Sequence, residues 1–290
     1  MSKSVWERMM DVDRRVIYLL VFILIMWPLV QPMGLPVPIA SITKSVYDAV
    51  EAVPDGGMIL FSADHGFASI GENGPQLWGF MQQVFDLQAR KPGIRIIFFG
   101  FWMEGTLITD TYLKNLGKGR ADPNYGKTYA NLGWIPLAET GMAVWAADIH
   151  RTSAKDMYGN DIGTLPLMKD LKTLKDIVDK YPHVLFITVE SGTPGLPEFL
   201  RQWQEPYNIR KIVVACTAVS TPGMMPYVGT GQIIGVVDGL SGAAQYEVLI
   251  RKPGEASAGT DALSMTHFLV IAFVVIGNIG YFAMKGRKVS

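Results

Sequence analysis

Residues able to do chemistry recur directly after apolar runs in this 290-residue chain. Asp64 and His65 close the run from Gly57 to Ala63. Trp102 and Glu104 follow Ile94–Phe99, and Asp148 and His150 follow Met142–Ala146. Glu190, Ser191 and Thr193 follow Val184–Val189. Ser220 and Thr221 follow Ile212–Val219, and Asp238 follows Ile233–Val237. Carboxylates and imidazoles gathered on one rim can hold a divalent metal or a polar ligand. Ser, Thr and Asp at strand-to-helix junctions also serve as plain helix caps, the commoner use of such residues. Asp64 and His65 stand apart, because the next expected helix, from Pro75, is too distant for either to cap. These residues do not specify which metal or cofactor, if any, the rim takes.

The elements that must position this set are legible as alternating patterns. An apolar, β-branched run that ends abruptly in polar residues is a buried parallel strand reaching its carboxyl end. The six runs just named are the expected strands, the first ending at Ser62. Expected helices are Ser45–Val53, Pro75–Arg90, Thr106–Leu116, Leu165–Lys180, Leu196–Glu205 and Leu240–Ile250. Leu77, Phe80, Met81, Val84, Phe85 and Leu87 form a stripe at helical period. Strands alternating with helices make an α/β fold, a Rossmann-like three-layer domain with a mostly parallel sheet. In such sheets ligands bind beyond the carboxyl ends of the strands. Lys118–Trp134 and Arg151–Gly163 are long irregular stretches, with Tyr125, Tyr129 and Trp134 expected as exposed aromatics.

Ser191-Gly-Thr-Pro-Gly195 opens onto a helix N-terminus, where backbone N–H groups can hold an anion, and Thr221-Pro-Gly223 repeats the theme. Plain turn chemistry is the commoner use of such loops and the leading reading of both. Neither is a Walker A loop or a GxGxxG fingerprint, and no GxSxG elbow exists. Cys216 is the single cysteine, so no intrachain disulfide forms, and its apolar run makes it a buried structural thiol.

Hydrophobic segments bracket the α/β domain. Charged residues are 18% of the chain, and mean hydropathy is +0.21. Both values suit a protein with membrane segments. The expected layout is a cytoplasmic N-terminus (1–15), a transmembrane helix (16–36), an extracytoplasmic α/β domain (40–258), a second transmembrane helix (262–284) and a cytoplasmic C-terminus (285–290). Lys3, Arg8, Arg14, Arg15, Lys285, Arg287 and Lys288 flank the spans on the terminal side. Only Lys44, Arg251 and Lys252 flank them on the domain side. The positive-inside rule then places both termini in the cytoplasm. Lys+Arg 26 against Asp+Glu 26 leaves no basic footprint for nucleic acid. In the second span, Gly277, Asn278 and Gly280 are small or polar residues of the kind that join helices in lipid. The partners expected are therefore the lipid bilayer and either a second copy of the chain or other membrane subunits.

Three functions follow in order. The first is a non-catalytic structural or interaction subunit of a membrane assembly. The second is a membrane-tethered binding domain for a small polar solute or ion. The third is a metal-dependent hydrolase.

Overall fold

The computed structural model describes residues 12–192 and 195–287. Val37–Lys252 forms one compact unit, and the flanking segments, up to Pro36 and from Pro253, form another.

The larger unit is a six-stranded, all-parallel sheet in the order β3-β2-β1-β4-β5-β6. The strands are β1 (Met58–Asp64), β2 (Arg95–Gly100), β3 (Tyr129–Trp134), β4 (Val184–Glu190), β5 (Lys211–Cys216) and β6 (Gly235–Asp238). The small N-terminal helix α1 (Arg14–Val30) belongs to the flanking unit, and α2 (Ser41–Glu51) begins the domain. The first two crossovers are α3 (Ile70–Arg90) and α4 (Met103–Asn115). The long third crossover carries α5 (Ala138–Ala147), α6 (Ile149–Thr152) and α7 (Leu174–Lys180). Beyond β4, α8 (Leu196–Phe199) runs through a π-helical segment (Leu200–Gln204) into α9 (Glu205–Tyr207). Then come α10 (Thr221–Gly229) and α11 (Gly239–Leu249), with α12 (Glu255–Arg287) in the flanking unit.

Strand alternation divides the core into two layers, one on each face of the sheet. Met58, Leu60, Phe99, Phe186 and Val214 pack with Trp145, Phe199 and Trp203 on one face. Ile59, Phe61, Phe98, Ile187 and Val213 pack with Phe80, Val84 and Tyr246 on the other. Helices cover both faces, as a parallel sheet requires.

Two expectations fail here for one reason. Met142–Ala146 is not a strand but the second half of α5. Met142, Trp145, Ala146 and Ile149 are buried while Val144 is 42% exposed, which is helical spacing rather than alternation. The third strand is instead Tyr129–Trp134, inside a stretch read as irregular. Its Asn131 and Gly133 break the apolar pattern, Gly133 has φ +73°, and its register shifts beside β2. Other boundaries move. The helix expected over Leu165–Lys180 is regular only as α7, whose Thr173–Asp176 capping box marks its start. α3 starts at Ile70, so Pro75 lies in its second turn, where the carbonyl four residues back belongs to Gly71. β5 stops at Cys216, and α10 follows where no helix is expected. Of the aromatics expected to be exposed, Trp134 is 48% exposed, but Tyr129 is fully buried. Tyr125 is half-buried, with its hydroxyl donating to Asp156 at 2.9 Å.

In the flanking unit, α12 is long and apolar enough to cross a membrane over Glu255–Met284. α1 has 17 residues, about 25 Å at 1.5 Å per residue, short of a hydrocarbon core of roughly 30 Å. α1 and α12 pack together. The buried Asp261 carboxylate accepts the backbone N–H groups of Met33, Gly34 and Leu35 at 2.8–3.1 Å, tying the exit of α1 to the first turns of α12.

Candidate functional site

β1 and β4 are neighbours although two strands, β2 and β3, separate them in the chain. The strand order reverses between them, and the carboxyl ends on either side of such a reversal frame a crevice. Asp64 is in register with Glu190, Glu190 with Cys216, and Cys216 with Asp238. In-register residues of parallel strands project from the same face, with strands about 4.8 Å apart. The four side chains therefore form one row, roughly 15 Å long, across the carboxyl ends of β1, β4, β5 and β6.

The row is buried at its centre. Asp64 is fully buried; its Oδ1 accepts Phe101 N–H at 2.6 Å, and its Oδ2 accepts the Ser62 hydroxyl. Burial outweighs those bonds and pushes its carboxyl up to about 7. Glu190 is 2% exposed, and its Oε2 has no hydrogen-bond partner. Burial first, and then the neighbouring Asp64, raise its carboxyl well above the ordinary range, against the Leu196 N–H that lowers it. On the same face of the sheet, Phe101, Phe186 and Phe199 meet edge to face. Cys216 is pushed up to about 12, mainly by burial and further by Glu190 and Asp238, so it is a neutral thiol, as its sequence context implied. Thr221 bridges the far end, donating to Asp238 Oδ1 at 2.5 Å and lying 3.5 Å from Cys216 Sγ.

More carboxylates surround the crevice. Glu104 Oε2 accepts Phe67 N–H at 3.0 Å and Trp102 Nε1–H at 3.2 Å. Glu72, in the first turn of α3, accepts Ala218 N–H at 2.8 Å. Behind it, Gln76 Nε2 reaches the carbonyls of Cys216, Val237 and Gly239, and Asn73 reaches that of Glu190. The start of α3 is thus sewn to the ends of β4, β5 and β6. In dinucleotide-binding sheets a pyrophosphate lies at this turn. Here the turn carries the acidic side chains of Asp64, Glu72, Glu104 and Glu190 and none of the glycine fingerprint that such a site needs.

His65 is fully buried, and neither ring nitrogen reaches a partner among the described residues. Burial pulls it down to about 4, so it is neutral at physiological pH. No group of three His, Cys, Asp or Glu side chains able to hold a metal exists among the described residues.

Asp148 and His150 leave the rim once the strand before them becomes α5. That helix starts beyond the carboxyl end of β3 and runs ten residues away from it. Asp148 caps α6 by accepting Arg151 N–H at 3.0 Å, and His150 Nε2 contacts Met168 O at 2.9 Å. Ser191 remains beside the pair, its N–H bonded to Asp64 O at 3.2 Å. Thr193 lies outside the described residues. The anion cradle expected around it is occupied by the chain itself, since Gly195 N–H donates to Glu198 at 2.9 Å and Leu196 N–H serves Glu190. In α12, Asn278 Nδ2–H donates to Val274 O of its own helix at 2.9 Å, and its side chain is exposed. Gly280 is buried, and a side chain at Gly277 would meet nothing within 4 Å.

Glu72, Asn73, Gln76 and the Cys216 position in the row escaped the sequence reading. The usable signal was three polar residues within two turns at the head of an otherwise apolar helix. No protein-family model matches this chain, and neither a curated protein nor a solved structure matches it.

Proposed function

We propose that this chain is a membrane-tethered binding domain whose switch-point row takes a small polar solute carrying positive charge or several hydrogen-bond donors. The observation that carries this reading is the Glu190 Oε2 atom, buried without a partner one strand from a second buried carboxyl. A buried polar atom left unpaired is costly, and such atoms mark places where something else supplies the bond. The carboxyl oxygens of the row suit hydrogen-bond donors, and neither Asp64 nor Glu190 has a basic side chain among the groups that shift it. Both hydrophobic segments serve as the tether, with both termini cytoplasmic. The Lys/Arg asymmetry supports this, as does the Asp261 link that folds α1 and α12 into a hairpin.

The test is thermal unfolding of the full-length protein in neutral detergent with methylammonium, putrescine, erythritol, glucose and magnesium. A rise in midpoint for wild type that is absent in Glu190→Gln supports the reading. A panel in which no member separates the two proteins overturns it.

The interaction-subunit reading keeps one specific support. Phe67, Trp102, Met103, Trp134, Leu137 and Val219 are each 36–88% exposed, all at or just beyond strand carboxyl ends. An apolar rim of that kind suits a protein contact. Replacing Trp134 and Leu137 with Ser should then release a co-purifying partner.

A further inference from the structure

At the other end of the same sheet the strands begin among basic side chains. A cavity of about 180 Å³ opens there, lined by Tyr181, His183, Asn208, Arg210 and Lys211 with neighbouring apolar residues. Met58 is in register with Arg95 on one side and Val184 on the other, and Leu185 is in register with Lys211. Arg95, His183, Arg210 and Lys211 therefore follow one another along the amino ends of β2, β4 and β5.

The two arginines and the lysine are not neutralised. Arg95 uses its guanidinium on the Pro92 and Ile94 carbonyls, and Arg210 donates to Asn208 Oδ1 at 2.5 Å. None of Arg95, Arg210 and Lys211 makes an ion pair among the described residues. Two acids of this end are engaged elsewhere: Asp55 accepts Gly93 N–H, and Asp179 pairs with Lys175 at 2.7 Å. Tyr181 feels the Arg95 charge, which offsets part of the upward push that burial gives its phenol. The ends of α7 and α9 turn carbonyls toward this region, since Tyr181 and Asn208 are their C-caps. Each helix end contributes at most about half a negative charge, and less for helices this short. The Arg210 guanidinium and the Lys211 ammonium, both lining the cavity, outweigh them, and the Arg95 charge reaches the cavity's Tyr181.

We propose that this cavity binds the phosphate group of a small anion. Several cations around one point favour a dianion, and an arginine fork matches phosphate oxygens. The volume holds about six waters at roughly 30 Å³ each, enough for a phosphate but below the roughly 300–1,000 Å³ of a drug-sized pocket. A lipid headgroup and a free phosphate share this chemistry. The proposal does not depend on the acidic row at the opposite end.

The experiment titrates the full-length protein, in neutral detergent at fixed ionic strength, with inorganic phosphate and with dihexanoyl phosphatidate below its micelle concentration. Wild type should bind phosphate saturably, and the Arg210→Gln/Lys211→Gln variant should bind about tenfold more weakly or worse. Both residues are exposed, so the variant's midpoint without phosphate should match wild type. Tighter binding of phosphatidate than of phosphate assigns a lipid headgroup, and equal or weaker binding assigns a soluble phosphate. Absence of saturable binding of either, or wild-type affinity in the double variant, overturns the proposal.

Discussion

Asp64 and Glu190 are the residues on which the account turns, and their burial has a measurable consequence. An unfolded Asp64 carboxyl titrates near 3.8 and the folded one near 7. Between those values the folded state holds the proton that the unfolded state has lost. Stability therefore falls as pH rises through that window, and the loss is complete above about 7. The size is of the order of 4 kcal/mol, from about 1.4 kcal/mol per pH unit. Asp64→Asn removes this slope. Thermal midpoints of wild type and Asp64→Asn, followed from pH 4 to pH 8, should diverge in the variant's favour as pH rises. Parallel profiles would mean that Asp64 is not held as a protonated acid. Asp64 and Glu190 were legible in the sequence because each ends a strand whose apolar run is unmistakable. Asp148 and His150 look identical on that criterion and fail it, because burial at spacing three and four made a helix of the run before them.

At the scale of elements, the row exists because α3 and α4 are pressed against the carboxyl ends of the strands. Gly105, in the first turn of α4, marks the closest approach: a Cβ there would lie 2.2 Å from Ala63 O, next to Asp64. Gly105→Ala must push α4 off β1. Overpacking of this kind costs about 1–3 kcal/mol, and urea unfolding of the full-length protein should read a loss in that range. Gly223→Ala is the control: it lies in α10, a Cβ there meets nothing within 4 Å, and it should leave stability unchanged or raise it by up to about 1 kcal/mol. Unchanged stability in Gly105→Ala would contradict the tight seating of α4. Five of the six strands lie where apolar β-branched runs place them. β3 was hidden because Asn131 and Gly133 interrupt its apolar run, yet it pairs with β2 and buries Tyr129, Ala130 and Leu132 in the two core layers.

For the whole molecule, the parallel sheet carries acids at its carboxyl ends and bases at its amino ends. Helices antiparallel to the strands put their positive ends by the acids and their negative ends by the bases, so the arrangement is electrostatically self-consistent. The membrane layout yields its own check. Cys216 is buried, so a cysteine introduced at exposed Asn124 is the thiol that reagents reach. A membrane-impermeant maleimide should label Asn124→Cys in intact cells, whereas labelling only after lysis would place the domain in the cytoplasm. α12 was legible by length and hydropathy alone. The small-residue pattern in it was legible too, but not its use, because Gly280 is already buried within one chain and only Gly277 keeps an open side.

The central claim is that Glu190 is kept for a ligand rather than for stability, and unliganded Glu190→Gln tests it most directly. The substitution keeps an acceptor for Leu196 N–H and removes the second buried carboxyl beside Asp64. Unfolding of the full-length protein in neutral detergent at pH 8 should give the variant a stability equal to or above wild type, by up to about 1–2 kcal/mol. A variant less stable than wild type by more than about 2 kcal/mol would make Glu190 a structural residue and contradict the account.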